Sequence, residues 1–191
     1  MIYNFHSHHP EHEGERTILQ GRDSWGIHPW DVKPDMLSLS PPPGILAIGE
    51  CGLDRLCSTA YDLQLDAFRM QVRLSETLAK PLIVHCVKAI DDVLRLRREC
   101  RPRQPWILHG FRGKPRQLQS LLDAGFYVSF GFRFQAETLR ACPLQRLLLE
   151  TDDDPRPIMP LYLTTCRLLD ITPKTLADCM EAHFRNLFPG A

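Results

Sequence analysis

Six side chains able to hold a divalent cation stand just after short apolar runs of this 191-residue chain. His6 and His8 follow Ile2–Phe5, Glu50 follows Ile45–Ile48, and His85 follows Leu82–Val84. His109 follows Trp106–Leu108, and Asp152 follows Leu147–Leu149. Imidazole and carboxylate together suit divalent metals of intermediate softness. Two histidines at i and i+2 on a strand point to one side. A single carboxylate can bridge two cations about 3.5–4 Å apart, and Glu50 is best placed for that. Any one strand-end histidine is more often a hydrogen-bonded loop residue. Six donors at successive strand ends are harder to produce by chance, and together they read as a metal centre.

Other reactive types carry less. His28, in Gly26-Ile27-His28-Pro29-Trp30, faces the same mouth and reads as a substrate contact rather than a ligand, with a purely structural role the alternative. His9 and His12 fall in a polar loop and are expected to be solvated; His183 lies in an amphipathic helix and reads as structural. Asp54 is expected to hold a loop, with lining the pocket the alternative. Cys51 and Cys86 flank donors but have no spare histidine to activate them. No Gly-x-Ser-x-Gly elbow and no glycine-rich phosphate loop occurs.

The elements that must carry these donors can be traced in the pattern. Eight short apolar runs, the five above together with Thr17–Leu19, Trp25–Ile27 and Tyr127–Phe130, read as strands buried on both faces, as parallel strands are. Helical periodicity marks Ala60–Ala79, stopped by Lys80-Pro81, and then Ile90–Cys100. A third helix, Lys114–Ala124, ends at Gly125, and a fourth runs from Thr172-Pro173 through Phe188. Strand–helix alternation predicts an α/β fold, a (β/α)8 TIM-type barrel in one domain, residues 1–191. Such a barrel opens every strand's C-terminal end on one face, which would bring all six donors together. Barrels of this kind usually need about 250 residues. The first three runs lie within residues 2–27, leaving no room for helices between them, so a barrel shortened on its N-terminal side is expected. A doubly wound open sheet is the alternative.

Composition closes off other classes. Lys and Arg number 23 against 23 Asp and Glu, so the net charge is zero, which argues against holding nucleic acid mainly by a broad basic face but leaves room for a small pocket that takes one nucleotide at a time. Hydrophobic residues at 43% and charged residues at 24% exclude wholesale disorder. No apolar run is long enough for a bilayer span, and the start lacks a basic, apolar leader. Seven cysteines without a Cys-x-x-Cys pair predict reduced thiols and a cytoplasmic location.

The ordered motifs His6-Ser7-His8, Gly26-Ile27-His28-Pro29, Ala47-Ile48-Gly49-Glu50-Cys51-Gly52-Leu53-Asp54, Val84-His85-Cys86, His109-Gly110-Phe111-Arg112-Gly113 and Leu149-Glu150-Thr151-Asp152 resemble the TatD family of metal-dependent hydrolases. The resemblance implies an amidohydrolase-type barrel, two divalent metal ions (Zn, Mn, Fe, Co, Ni or Mg) and phosphodiesterase activity, often deoxyribonuclease. By position, His6, His8 and Asp152 would hold one ion, Glu50 would bridge, and His85 with His109 would hold the other. Asp152 would act as general base for a metal-activated water, with Glu50 the second catalytic carboxylate. His28, Arg112 and Lys88 would hold a phosphodiester, DNA ends being one candidate. The chain departs from the family at Asn4, where Asp is usual. Cys86-Val87-Lys88 stands where Ser-Arg-Asp is common, and Asp153-Asp154 follows Asp152, where they would repel a polyanion. Hydrolysis of a small amide, lactone or ester at the same centre is the alternative reading, and a metal-stabilised binding module is another.

Overall fold

The computed structural model describes all residues, Met1–Ala191. Its eight strands are β1 (Ile2–Ser7), β2 (Glu15–Leu19), β3 (Ser24–Trp25), β4 (Ala47–Asp54), β5 (Leu82–Val87), β6 (Trp106–Leu108), β7 (Tyr127–Phe130) and β8 (Leu147–Leu149). Every ladder is parallel: β1 pairs with β2, and β3 through β8 form a six-stranded sheet in sequence order. Two single bridges cross the remaining seams, Gln20 to Ser24 between β2 and β3, and Ser7 to Asp152 between β1 and the end of β8. The strands thus follow one another in TIM-type order, with two thinly bonded seams. All eight expected runs are strands. The third is shorter than expected, and the fourth begins two residues later and extends to Asp54: its pairing with β5 breaks register across Gly49 and Glu50 and resumes from Cys51 to Asp54.

Helices α1 (Tyr61–Leu78), α2 (Ile90–Cys100), α3 (Pro115–Asp123), α4 (Ala136–Ala141), α5 (Met159–Leu169) and α6 (Pro173–Leu187) cover the later strands. No helix separates β1, β2 and β3; only a 3-10 turn, Pro34–Ser38, precedes β4. Thr172 caps α6 as its motif predicts, its hydroxyl accepting from the Thr175 amide at 3.1 Å. α4 and α5 carry no clear periodic signal. The first is only six residues long, and the second is apolar on most sides. α5 nevertheless closes a seam: the Tyr162 hydroxyl donates to the Tyr3 carbonyl at 2.7 Å and accepts its amide at 3.1 Å, so both groups on this edge of β1 are satisfied.

The buried face of α1 differs from its apolar pattern. Gln64 and Gln71, seven residues apart, are buried beside Phe68 and Val72, whereas Leu65 is only partly covered. Each glutamine clamps backbone beneath it. Gln64 accepts from the Asp54 amide at 2.8 Å and donates to the Asp54 carbonyl at 3.1 Å. Gln71 does the same for Ile27, at 2.7 and 3.0 Å. One helix therefore fixes the end of β4 and the loop that carries His28.

Candidate metal centre

Glu50 sits midway along the fully buried β4, between two glycines that let the strand lie close to β5. Gly49 has φ +135°, and a Cβ there would meet the Ile83 carbonyl oxygen at 2.5 Å; Gly52 has φ +145°, and its Cβ would meet that of His85 at 2.0 Å. Only glycine fits such contacts. The Gln20 side-chain oxygen accepts the Glu50 amide at 3.0 Å, so the residue after β2 holds the backbone that carries this carboxylate.

Five imidazoles surround the Glu50 carboxylate, which is 4% exposed. His109 Nε2 lies 2.6 Å and His85 Nδ1 2.8 Å from Oε1, with His28 Nε2 at 3.3 Å. His8 Nε2 at 3.2 Å and His6 Nε2 at 3.3 Å face Oε2. Asp152 Oδ1 stands 3.8 Å from His8 and 3.9 Å from His6. Asp152 has a left-handed backbone, φ 57°, next to its bridge with Ser7. All six expected donors, drawn from β1, β4, β5 and β6 or the residues just after them and from the turn after β8, therefore meet on one rim.

The electrostatics follow from burial against charge. Burial alone would raise the Glu50 pKa, but His109 and the other imidazoles overcome it and hold the carboxylate ionised. Burial opposes protonation of His109, and Glu50 and Glu150 outweigh it, raising its pKa. Asp152 is pushed up, first by burial and then by the Glu150 charge, while Glu150 is held down by His109 against its own burial. Burial drives the Cys86 thiol up to about 12, so it is a neutral packing group.

These residues fit a bound cation. His6 is fully buried, and neither ring nitrogen makes a hydrogen bond: Nδ1 has no partner, and Nε2 only faces the Glu50 and Asp152 carboxylates at 3.3 and 3.9 Å, which is costly unless something else accepts the lone pair. His6, His8, Glu50 and Asp152 offer ligand atoms within 4.8 Å of one another, as do His28, Glu50 and His85, and also His109, Glu150 and Asp152. His85 and His109 each have a carboxylate behind them. Asp54 Oδ2 lies 3.4 Å from His85 Nε2, and Glu150 Oε1 lies 3.3 Å from His109 Nδ1. Such a partner fixes the tautomer so that the other nitrogen presents its lone pair.

His28 is oriented differently. Its Nδ1 accepts the Trp30 amide at 3.2 Å, so the neutral ring carries its proton on Nε2 and donates toward Glu50. Arg112 and Lys88 are exposed on the cleft wall, and neither side chain bonds to a donor of the centre. His183 is buried within α6, as expected. His9 and His12 are less free than expected: they bond the carbonyls of Asp153 at 2.9 Å and Pro155 at 3.0 Å, pinning the segment after Asp152. Asp154 is paired with Arg156 at 2.6 Å, which cancels one of the two added acidic charges. Asp54 does hold its loop, accepting the Leu56 amide at 2.7 Å, but it also faces His85 and accepts the Trp30 indole N–H at 2.6 Å. Asn4 keeps a role without the charge: its amide donates to the Thr151 hydroxyl at 2.9 Å and its oxygen accepts the Thr151 amide at 3.1 Å, tying β1 to the turn that carries Asp152. Sequence reasoning missed Glu150, although it lies inside the Leu-Glu-Thr-Asp motif, and it missed Trp30 and both glutamines of α1.

A parallel α/β barrel-type sheet with histidines and carboxylates gathered on its C-terminal rim is the architecture of metal-dependent hydrolases. The sequence pattern defining the TatD related DNase family matches residues 17–188, and the chain belongs to that family. An uncharacterised metal-dependent hydrolase from Buchnera aphidicola of Acyrthosiphon pisum is 32% identical over 202 residues, covering 86% of this chain and 76% of that protein. The 3'-5' ssDNA/RNA exonuclease TatD of Klebsiella pneumoniae is 36% identical over 146 residues, covering 66% of this chain but only 55% of the exonuclease. A crystal structure of a TatD homologue from Escherichia coli K12 superposes with a TM-score of 0.70 at 20% identity, over 77% of this chain and 65% of that one, and so shares the fold.

Proposed function

We propose that this protein hydrolyses phosphodiester bonds of nucleic acid at the Glu50 centre. The observation that carries the reading is the convergence of His6, His8, His85, His109 and Asp152 on Glu50. His6, His8 and Asp152 would hold one cation and His85 with His109 a second, with Glu50 between them. Divalent cations there would supply charge neutralisation and a water acidic enough to act at neutral pH.

The chain's own groups do the rest. Asp152, its carboxyl pushed up by burial and by Glu150, is the base that takes a proton from the attacking water. Glu50 keeps its imidazoles in register and remains ionised. His28 holds its proton on Nε2, suited to donate to a phosphoryl oxygen. Lys88 and Arg112 line the same cleft and would hold phosphate by charge. The exonuclease name of the Klebsiella relative supports the substrate class, and the sequence family supports the reaction class. Seven free thiols support a reducing, cytoplasmic setting.

The test is an assay of protein supplied with Mn, Zn, Co, Ni, Fe or Mg in turn, against single-stranded oligonucleotides and against a panel of amides and lactones. Cleavage of the oligonucleotides with background rates on the panel is the expected result. Turnover confined to amides or lactones would assign the centre to a small-molecule hydrolase, and none with any substrate would leave a binding module.

A further inference from the structure

Trp30 is 61% exposed, the largest side chain left open to this degree. It is nonetheless held rigidly. Its indole N–H donates to the buried Asp54 at 2.6 Å, its amide donates to His28 Nδ1, and its carbonyl accepts the Thr59 hydroxyl at 3.1 Å. Its ring meets those of His28 and His85 nearly at right angles, with centroids 4.8 and 6.2 Å apart. A solvent-facing aromatic fixed at this many points has lost its conformational freedom before any ligand arrives.

The cleft around it, about 1480 Å3, is two-sided. The segment after β3 contributes Ile27, Trp30, Met36 and Leu39, an apolar wall whose Leu39 is 47% exposed. The segments after β5 and β6 contribute Lys88, Arg112, Lys114 and Arg116. In strand order β4 lies between the two, and it carries Glu50. Asp31 and Asp91 also line the cleft, one beside each wall. An aromatic surface on one side and a row of cations on the other matches the two faces of a single nucleic-acid strand, its flat bases and its phosphates.

We propose that Trp30 is the stacking platform for the base of the nucleotide next to the scissile phosphate, with Lys88, Arg112, Lys114 and Arg116 following the phosphates on the opposite wall. The centre thereby selects single-stranded nucleic acid over phosphodiesters that lack a base. This rests on the phosphodiesterase reading above but can fail independently of it. Trp30 acts as a specificity residue; it takes no part in the bond-breaking step.

The experiment measures binding, so it does not depend on turnover. Labelled ten-nucleotide oligothymidylate and a matched oligomer of abasic residues, both phosphorothioate-linked to resist cleavage, are titrated by fluorescence anisotropy against the protein as purified. The wild type is expected to bind the thymidylate about tenfold more tightly than the abasic strand, the scale of one base–aromatic stack. In Trp30→Ala that ratio falls toward one, while Trp30→Phe keeps most of it. Lys114→Ala combined with Arg116→Ala weakens both oligomers together. Equal wild-type affinity for the two strands would overturn the proposal, as would a Trp30→Ala variant that keeps the full ratio. A variant losing both affinities equally would reduce Trp30 to a prop for Asp54 and His85, and would overturn it too. Hydrolysis of unmodified oligomers, measured separately, judges the phosphodiesterase reading alone.

Discussion

Glu150, fully buried, places Oε1 3.3 Å from His109 Nδ1 while accepting the Gly110 amide at 2.6 Å. On the other side of the same ring, His109 Nε2 lies 2.6 Å from Glu50. His109 is thus held between two carboxylates, one behind it and one at the centre. A buried charge is tolerated there because the ring and the amide both donate to it. Replacing Glu150 by Gln keeps the volume and an acceptor but removes the charge that sets the tautomer. Metal affinity, read by titration against a competing chelator, should fall about 10- to 100-fold. Unchanged affinity with a normal melting temperature would show that His109 needs no such partner.

The central carboxylates make a sharper prediction. Glu50→Gln and Asp152→Asn should each lower turnover of a phosphodiester by on the order of 1000-fold, since each removes several kcal/mol of stabilisation. Circular dichroism should report a retained fold. Near-normal activity of Asp152→Asn in metal-loaded protein would remove it from the base role.

Acid should release the cations, and the sign follows from the ligands. Imidazole binds metal only when neutral, so protons compete for the ligands as pH falls, most readily at His8 and His109, whose neighbouring carboxylates raise their pKa. Elemental analysis after dialysis at pH 5.5 should find less metal than at pH 7.5. At neutral pH, stripping metal with chelator should lower the melting temperature, since a ligand bound only to the native state stabilises it.

The clamp made by Gln71 can be tested by stability. Gln71→Ala leaves the amide and carbonyl of Ile27 without the partners that now lie at 2.7 and 3.0 Å. Two buried polar groups so abandoned cost about 2–4 kcal/mol together, measurable by urea unfolding. The loop carrying His28 should loosen as well, visible as faster amide exchange at Ile27. A loss below about 0.5 kcal/mol would mean water replaces the glutamine.

A pH effect independent of the centre comes from Asp92. Its carboxylate accepts from the Tyr61 hydroxyl and pairs with Arg95 and Arg55, and its pKa is lowered to about 2. An unfolded aspartate titrates near 3.9. Because the folded value is lower, the stabilisation is present above about pH 4 and is lost as pH falls toward 2. Asp92→Asn should cost on the order of 1 kcal/mol at pH 7, after allowing for partial solvent screening. The gap between variant and wild type should narrow at pH 3; a gap that stays constant would assign the cost to lost hydrogen bonds alone.

How much could be read before folding depended on how local the signal was. Short apolar runs flanked by polar turns marked all eight strands, and periodicity with Pro or Gly punctuation marked α1, α2, α3 and α6. α4 is too short to show a period, and α5 is apolar on too many sides. The donors His6, His8, Glu50, His85, His109 and Asp152 were legible because each follows a strand, and parallel topology turns strand ends into a common rim. Their residue types, their order and the family that shares them needed only the chain.

Tertiary structure decided which side chains stand behind them. The Glu150–His109, Asp54–His85 and Gln71–Ile27 contacts join residues 41, 31 and 44 positions apart. No periodic pattern encodes such pairings, because a buried polar atom takes whatever partner the packing brings within reach. The same holds for Trp30: its exposure and its anchoring on Asp54 arise only when the loop after β3 folds against the end of β4.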